Sequence, residues 1–231
     1  MIDIRNGNCY KIVPELKDKS INLVITDPPY QFQKSSGGGL FCKEKGHHDL
    51  KELVDLKCDT FEPEPFLDML LPKMVTFCGY FCCNKFLVAR YIEWAEKHNF
   101  TYDILTLLKS NPIPAKKGHH LTDTEYIVLI REKGSYFSDH KDLDDFRKYF
   151  IISCNGKRLH PAEKPVALFE RFIRVSSKEN DVILDPFLGS GTTAIACKRN
   201  NRNCIGIEMS EKYFNLAKER VDEELRQGEL F

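Results

Sequence analysis

The sequence carries no excess of either charge: 34 Lys and Arg stand against 34 Asp and Glu among 231 residues. That balance excludes a uniformly basic surface, so contact with any polyanion must come from a local patch. Long apolar runs are missing too, and none approaches the roughly 20 residues of a membrane-spanning helix. The opening residues, MIDIRNGNCYKIVPEL, have neither the charged start nor the apolar centre of a secretion signal. Cysteine is plentiful at nine, yet no two stand in CxxC spacing, and the closest group, Cys78, Cys82 and Cys83, lies in the apolar FCGYFCC. This argues against a metal knuckle or a disulfide framework and for buried thiols, so the expectation is no metal and a reducing cytoplasm. Internal repeats are also absent. With 42% hydrophobic and 29% charged residues, the chain suits one globular domain over 1–231.

What is present is an alternation of short β-type runs with helical ones, the mark of an α/β layered domain. Strands are expected at 2–5, 21–26, 79–83, 102–108, 125–131, 182–185 and 203–207. One helix should open at Asn84 as N-cap with Leu87, Tyr91 and Trp94 on a single face, and another should carry Pro165 in its first turn. A third follows Gly191, and the last begins after Ser210 with Phe214, Ala217 and Val221 turned inward. Three segments lack a clear period: 31–60, which includes SSGGG and reads as a mobile loop; 110–122, a Pro-rich basic loop; and the charged, aromatic stretch 134–160.

The stretch VILDPFLGSGTTAIA is a strand, a turn and a helix start. Gly189, Gly191 and Ala194 fit the G-x-G-x-x-G/A pattern of adenosine-binding turns, and Glu208 stands nineteen residues past Gly189, at the end of the next strand, where an acid would hold ribose hydroxyls. A short glycine pattern alone is weak, but strand, helix and acid together strengthen it. Asp185, Pro186, Phe187 and Leu188 separate strand from glycine and put a carboxylate beside the helix N-terminus. A diphosphate would meet that negative charge, whereas a cation would be favoured there. The turn therefore suits S-adenosylmethionine (SAM) better than a nicotinamide dinucleotide. Only 23 residues follow Glu208, so most of the sheet must come from the earlier part of the chain. The expected fold is a Rossmann-like, doubly wound, mostly parallel α/β sheet, circularly permuted in that the cofactor motif comes late in the chain.

Another turn, ITDPPY, ends the apolar strand INLVIT. Asp27 sits beyond the carboxyl end of its strand, where ligands of open α/β sheets bind. Pro28 and Pro29 have no N–H, so the corner offers acceptors only, and Tyr30 adds a stacking face. Such a corner fits a planar substrate bearing an NH₂ group, the exocyclic amine of a nucleobase. Two acceptors on its hydrogens would pyramidalise the nitrogen and direct its lone pair at a methyl donor, alignment being worth roughly 7–11 kcal/mol. Asp27 would stabilise the charge developing on nitrogen. A base flipped from a duplex costs about a few kcal/mol, and stacking on Tyr30 would return ~1–3 kcal/mol. Read alone, the tetrapeptide could be a plain strand terminus.

DPPY, HPAEKP (residues 160–165) and DPFLGSGTT, in that order, resemble the β-class of permuted DNA amino-methyltransferases, a likeness running over nearly the whole chain. The resemblance implies catalytic roles for Asp27, Pro28, Pro29 and Tyr30. It implies a cofactor site from Asp185, Pro186, Phe187, Gly189, Ser190, Gly191, Thr192 and Glu208, with His160 and Lys164 closing over the methionine end. Family members often have Gly-Asp where this chain has Gly7-Asn8; the resemblance places Asn8 at the adenine ring of SAM. Asp-Pro-Pro-Tyr usually accompanies methylation of adenine N6, which favours adenine over cytosine N4.

Double-stranded DNA is then the implied partner. Lys109, Asn111, Pro112, Lys116, Lys117, His119 and His120 in the basic loop, with Lys157 and Arg158, are the candidate DNA contacts, and 134–160 is the candidate target-recognition insertion. A solvated loop accounts for any one of these lysines nearly as well. A homodimer and a companion restriction enzyme are left open. Rival readings are cytosine-N4 methylation, a SAM-binding DNA module without turnover, and an NAD-dependent oxidoreductase.

Overall fold

The computed structural model describes residues 1–29, 61–112, 118, 120–139, 142–152 and 164–228. Among them run eight strands: β1 (Ile2–Asn6), β2 (Leu23–Thr26), β3 (Cys78–Cys83), β4 (Thr101–Lys109), β5 (Thr124–Arg131), β6 (Tyr149–Ile152), β7 (Val182–Asp185) and β8 (Asn203–Glu208). The α-helices among the described residues are α1 (Cys9–Glu15), α2 (Pro63–Leu70), α3 (Val88–Lys97), α4 (Val166–Ser176), α5 (Thr192–Arg199) and α6 (Glu211–Gly228). None of these is long and apolar enough to cross a membrane.

The strands form one sheet in the order β1-β8-β7-β2-β3-β5-β4-β6. From β1 to β3 every neighbouring pair is parallel, and β6 is parallel to β4, whereas β5 is antiparallel to both its neighbours. Strand β5 alone runs backwards. The amino end of β5 therefore lies on the same sheet edge as the carboxyl ends of all the others. This is the mostly parallel α/β sheet expected from the sequence.

The central strands β2 and β3 are buried along their whole length, which explains why LVIT and CGYFCC are continuous apolar runs rather than alternating ones. Successive side chains feed opposite cores. Leu23, Ile25, Tyr80 and Cys82 pack with Phe172 of α4 and Ala196 of α5. Val24, Phe81 and Cys83 pack with Phe66 of α2 and Tyr91 and Trp94 of α3. The six cysteines among the described residues are all buried.

Several boundaries differ from expectation, each for a local reason. Asn84 does not cap α3; its Oδ1 accepts the Phe86 N–H (3.0 Å) in an Asx turn, and the helix begins at Val88. In α6 the inward stripe is Tyr213, Ala217 and Val221, with Phe214 half-buried. Helical spacing permits either stripe, and the structure turns Tyr213, 5% exposed, into the core in place of Phe214. Helix α1 is capped by Asn8, whose Oδ1 accepts the Tyr10 N–H at 2.8 Å. Strand β6, inside the segment read as periodless, extends the sheet by parallel pairing with β4. The segment 31–60 lies outside the described residues.

Candidate active site

The strand ends bring distant parts of the chain to one edge. Thr26 closes β2, Asp185 closes β7 and Glu208 closes β8, while Lys109 closes β4 and Glu125 is the second residue of β5. Strand β2 lies between β7 and β3, so Asp27 and Asp185 emerge side by side. The two turns that the sequence singled out are therefore neighbours.

The Asp185 carboxylate faces inward. Its Oδ1 accepts hydrogen bonds from the Thr26 hydroxyl (2.8 Å) and the Phe187 N–H (3.1 Å), and its Oδ2 accepts from the Thr193 hydroxyl. Burial pushes its pKa up to about 7, against the pull of those donors. The carboxylate expected at the strand end, beside the helix N-terminus, also clamps the ends of β2, β7 and α5 together. The short apolar strand ending in Thr26 gave no sign of this partnership.

The glycine turn is built for close approach. Gly191 adopts φ +90° as N-cap of α5, and a Cβ there would stand 3.1 Å from that of Ala217. Gly189 adopts φ +57°, and a Cβ there would meet nothing within 4 Å. One glycine closes the turn on α6 and the other leaves its outer side open. Arg220 of α6 ties the turn down by donating to the Ser190 carbonyl (2.7 Å) and hydroxyl (2.9 Å), a contact that no sequence pattern announced. Pro186 and Thr192 are buried within the turn. Gly191→Ala is expected to lower unfolding free energy by about 1–3 kcal/mol through strain at positive φ, read from urea unfolding; an unchanged midpoint would contradict the close packing on Ala217.

Glu208 faces the same turn. Its Oε2 accepts the Gly189 N–H at 2.8 Å and its Oε1 the Ser210 N–H at 2.7 Å, while burial raises its pKa. Half-buried Phe187 leans on Phe66 (centroids 5.5 Å apart) and Phe61 (6.0 Å), forming an aromatic wall beside the turn. Asn8 stands after β1, the strand next to β8, with its carbonyl oxygen used in the helix cap.

At the other turn, Pro28 is buried and Pro29 half-buried. Asp27 Oδ2 accepts a 2.5 Å hydrogen bond from Lys164 Nζ. Its Oδ1 is enclosed and has no hydrogen-bond partner among the described residues. Burial raises the Asp27 carboxyl above its ordinary range, with Lys164 pulling it back and Glu125 adding to the rise. Lys164, expected at the methionine end of a cofactor, has its ammonium between Asp27 and Glu125. Tyr30 and His160 lie outside the described residues.

Of the expected DNA-contacting residues, Lys109 pairs with Glu125 at 2.7 Å. Asn111 and His120 are exposed and Pro112 is half-buried. Lys116, Lys117, His119, Lys157 and Arg158 lie outside the described residues.

Similarity to known proteins supplies the family. A family model described as DNA methylase, of N6 and N4 type, matches residues 21–219. The chain belongs to this family and is a DNA methyltransferase. The Type II methyltransferase M2.LlaDCHI of Lactococcus lactis subsp. cremoris is 29% identical over 94% of this chain and 88% of its own length. M2.DpnII of Streptococcus pneumoniae is 27% identical over 95% and 89%. Among solved structures, M1.HpyAVI in complex with SAM superposes with a TM-score of 0.69 at 28% identity, covering 95% of this chain and all of that one. The cytosine-N4-specific PvuII DNA methyltransferase shares the fold (TM-score 0.68) at 18% identity, over 98% of this chain and 92% of that one.

Proposed function

We propose that this enzyme methylates N6 of adenine at a specific DNA sequence, with Asp27 as the acceptor that holds the target amine. The observation that carries the reading is the orphaned Asp27 Oδ1. A buried acceptor without a donor costs about 1–3 kcal/mol, and Oδ2 is already engaged by Lys164. The unmatched oxygen calls for a donor from outside the described residues, and an exocyclic N–H is such a donor.

SAM is the cofactor. Its binding is assigned to the turn of Asp185, Pro186, Phe187, Gly189, Ser190, Gly191 and Thr192, with Glu208 for the ribose hydroxyls and the Phe187 wall and Asn8 for the adenine. The open side of Gly189 fits this, since a side chain there would fill the approach to the turn. When bound, SAM would supply an electrophilic sulfonium methyl to the amine nitrogen, with the thioether as leaving group and the surplus N–H proton passing to solvent. The protein's part is to hold the nitrogen. Asp27 Oδ1 and the Pro28 carbonyl would take the two amine hydrogens, Tyr30 would carry the flipped base, and the Asp27 charge would stabilise the nitrogen as it becomes positive. The reading also includes a permuted β-class order and a DNA face made by 110–122 and 134–160.

Adenine is favoured by aspartate rather than serine at position 27. The fold itself is indifferent to the base, because a cytosine-N4 enzyme shares it. Mass spectrometry of nucleosides from unmethylated DNA incubated with enzyme and SAM decides the matter, with Asp27→Ala as control. N6-methyladenine from the wild type alone is expected. N4-methylcytosine would overturn the base assignment, and no product on any DNA would overturn the reading.

A further inference from the structure

A chain of alternating charges runs away from Asp27, and its links beyond Lys164 have no part in the proposed chemistry. Lys164 Nζ lies 2.5 Å from Asp27 Oδ2 and 3.2 Å from Glu125 Oε2, and Lys109 Nζ lies 2.7 Å from Glu125 Oε1. Side-chain exposure is 17% for Asp27, 6% for Lys164, 27% for Glu125 and 22% for Lys109, so these pairs are screened far less than surface ion pairs. Lysine has four side-chain torsions and its ammonium is a point charge. Asp27, just past the end of β2, and Glu125, on β5, hold the Lys164 ammonium from two sides.

We infer that Glu125 is a positioning residue for methyl transfer, anchoring Lys164 so that the lysine occupies Asp27 Oδ2 and leaves Oδ1 facing the substrate amine. The inference rests on the Asp27 reading given above. Glu125 suits the task because it is the second residue of the backward strand β5, which brings an acid to the edge where the neighbouring strands end. Lys109, at the end of β4, completes the network and keeps Glu125 ionised. Burial alone would push the Glu125 carboxyl up, yet the two lysines hold it below its ordinary value.

The groups felt by Asp27 come from several elements: Lys164 ahead of α4, Glu125 on β5, Asp185 on β7, the thiols of Cys82 and Cys83 on β3, and the Tyr91 hydroxyl on α3. Lys164 is the only cation among these. Its removal in Lys164→Met should move the acid limb of the kcat–pH profile upward by about one pH unit or more. Glu125→Gln should lower kcat roughly tenfold at neutral pH by loosening Lys164, with SAM affinity and the far-UV circular dichroism spectrum unchanged. The decisive variant is the double one. If Glu125 acts through Lys164, Glu125→Gln costs nothing further in the Lys164→Met background, and it moves the acid limb back down, since an anion beside Asp27 has been removed.

A double variant whose loss in kcat is the product of the two single losses would overturn the inference, as would an acid limb that stays in place in all three variants. Asp27→Ala run alongside separates the two readings. If it turns over normally, the Asp27 assignment itself falls; if it is inactive while the double variant behaves multiplicatively, only the role of Glu125 falls.

Discussion

Replacing Asp27 by alanine is expected to lower kcat by about three orders of magnitude or more while leaving SAM binding intact. Removing one preorganised group that stabilises developing charge typically costs 10²–10³-fold, and here the same group also aligns the nitrogen, a separate contribution of several kcal/mol. The fold should tolerate the change. Removing one partner of a buried ion pair usually costs about 3–5 kcal/mol because the other charge is stranded. Lys164, however, keeps Glu125 at 3.2 Å, and the unmatched Oδ1 disappears together with its penalty. Initial rates of methyl incorporation into unmethylated duplex DNA, beside calorimetric titration with SAM, test both halves. Near-normal turnover would remove Asp27 from the chemistry, and loss of SAM binding would give it a different task.

The sheet was largely legible because its strands are buried on both faces and announce themselves as short apolar runs such as VILD and LVIT. Strand β6, YFII, escaped because its short apolar run sits in a charged stretch and gains its place only by pairing at the half-exposed sheet edge. Helix α1 escaped because it is short and contains Pro14 near its end, and its cap, Asn8, was read for chemistry instead. The two turns of the site could be found because each breaks an apolar run with an acid followed by proline. Their adjacency could not be seen, for it depends on β2 lying between β7 and β3. Glu125 was hidden for a related reason. An acid at the start of an apolar strand is unremarkable until the reversed direction of β5 carries it to the edge occupied by Asp27.

Asp185 provides a second large effect, on stability rather than rate. Its carboxyl has an ordinary value of 3.8 in an unfolded chain and is pushed up to about 7 in the fold. A raised folded-state value means that the native protein binds this proton more tightly than the unfolded chain does. The associated stability is fully present below pH ~4 and is lost as pH rises through about 7. At ~1.4 kcal/mol per pH unit the difference is about 4 kcal/mol, and the group's burial leaves little solvent to screen it. Asp185→Asn keeps the shape and an acceptor for Thr26 or Thr193 but cannot ionise. Unfolding free energies of the cofactor-free wild type, followed in urea from pH 4 to pH 8, should fall relative to this variant by about that amount. Other carboxylates titrate equally in both proteins and cancel. A cation bound at the turn works against the protonated form, so SAM binding near pH 7 should release protons, and that release should vanish in Asp185→Asn. Parallel stability curves would mean that Thr26, Thr193 and the Phe187 N–H keep the carboxylate ionised, and Asp185 would then be a charge held permanently behind the cofactor turn.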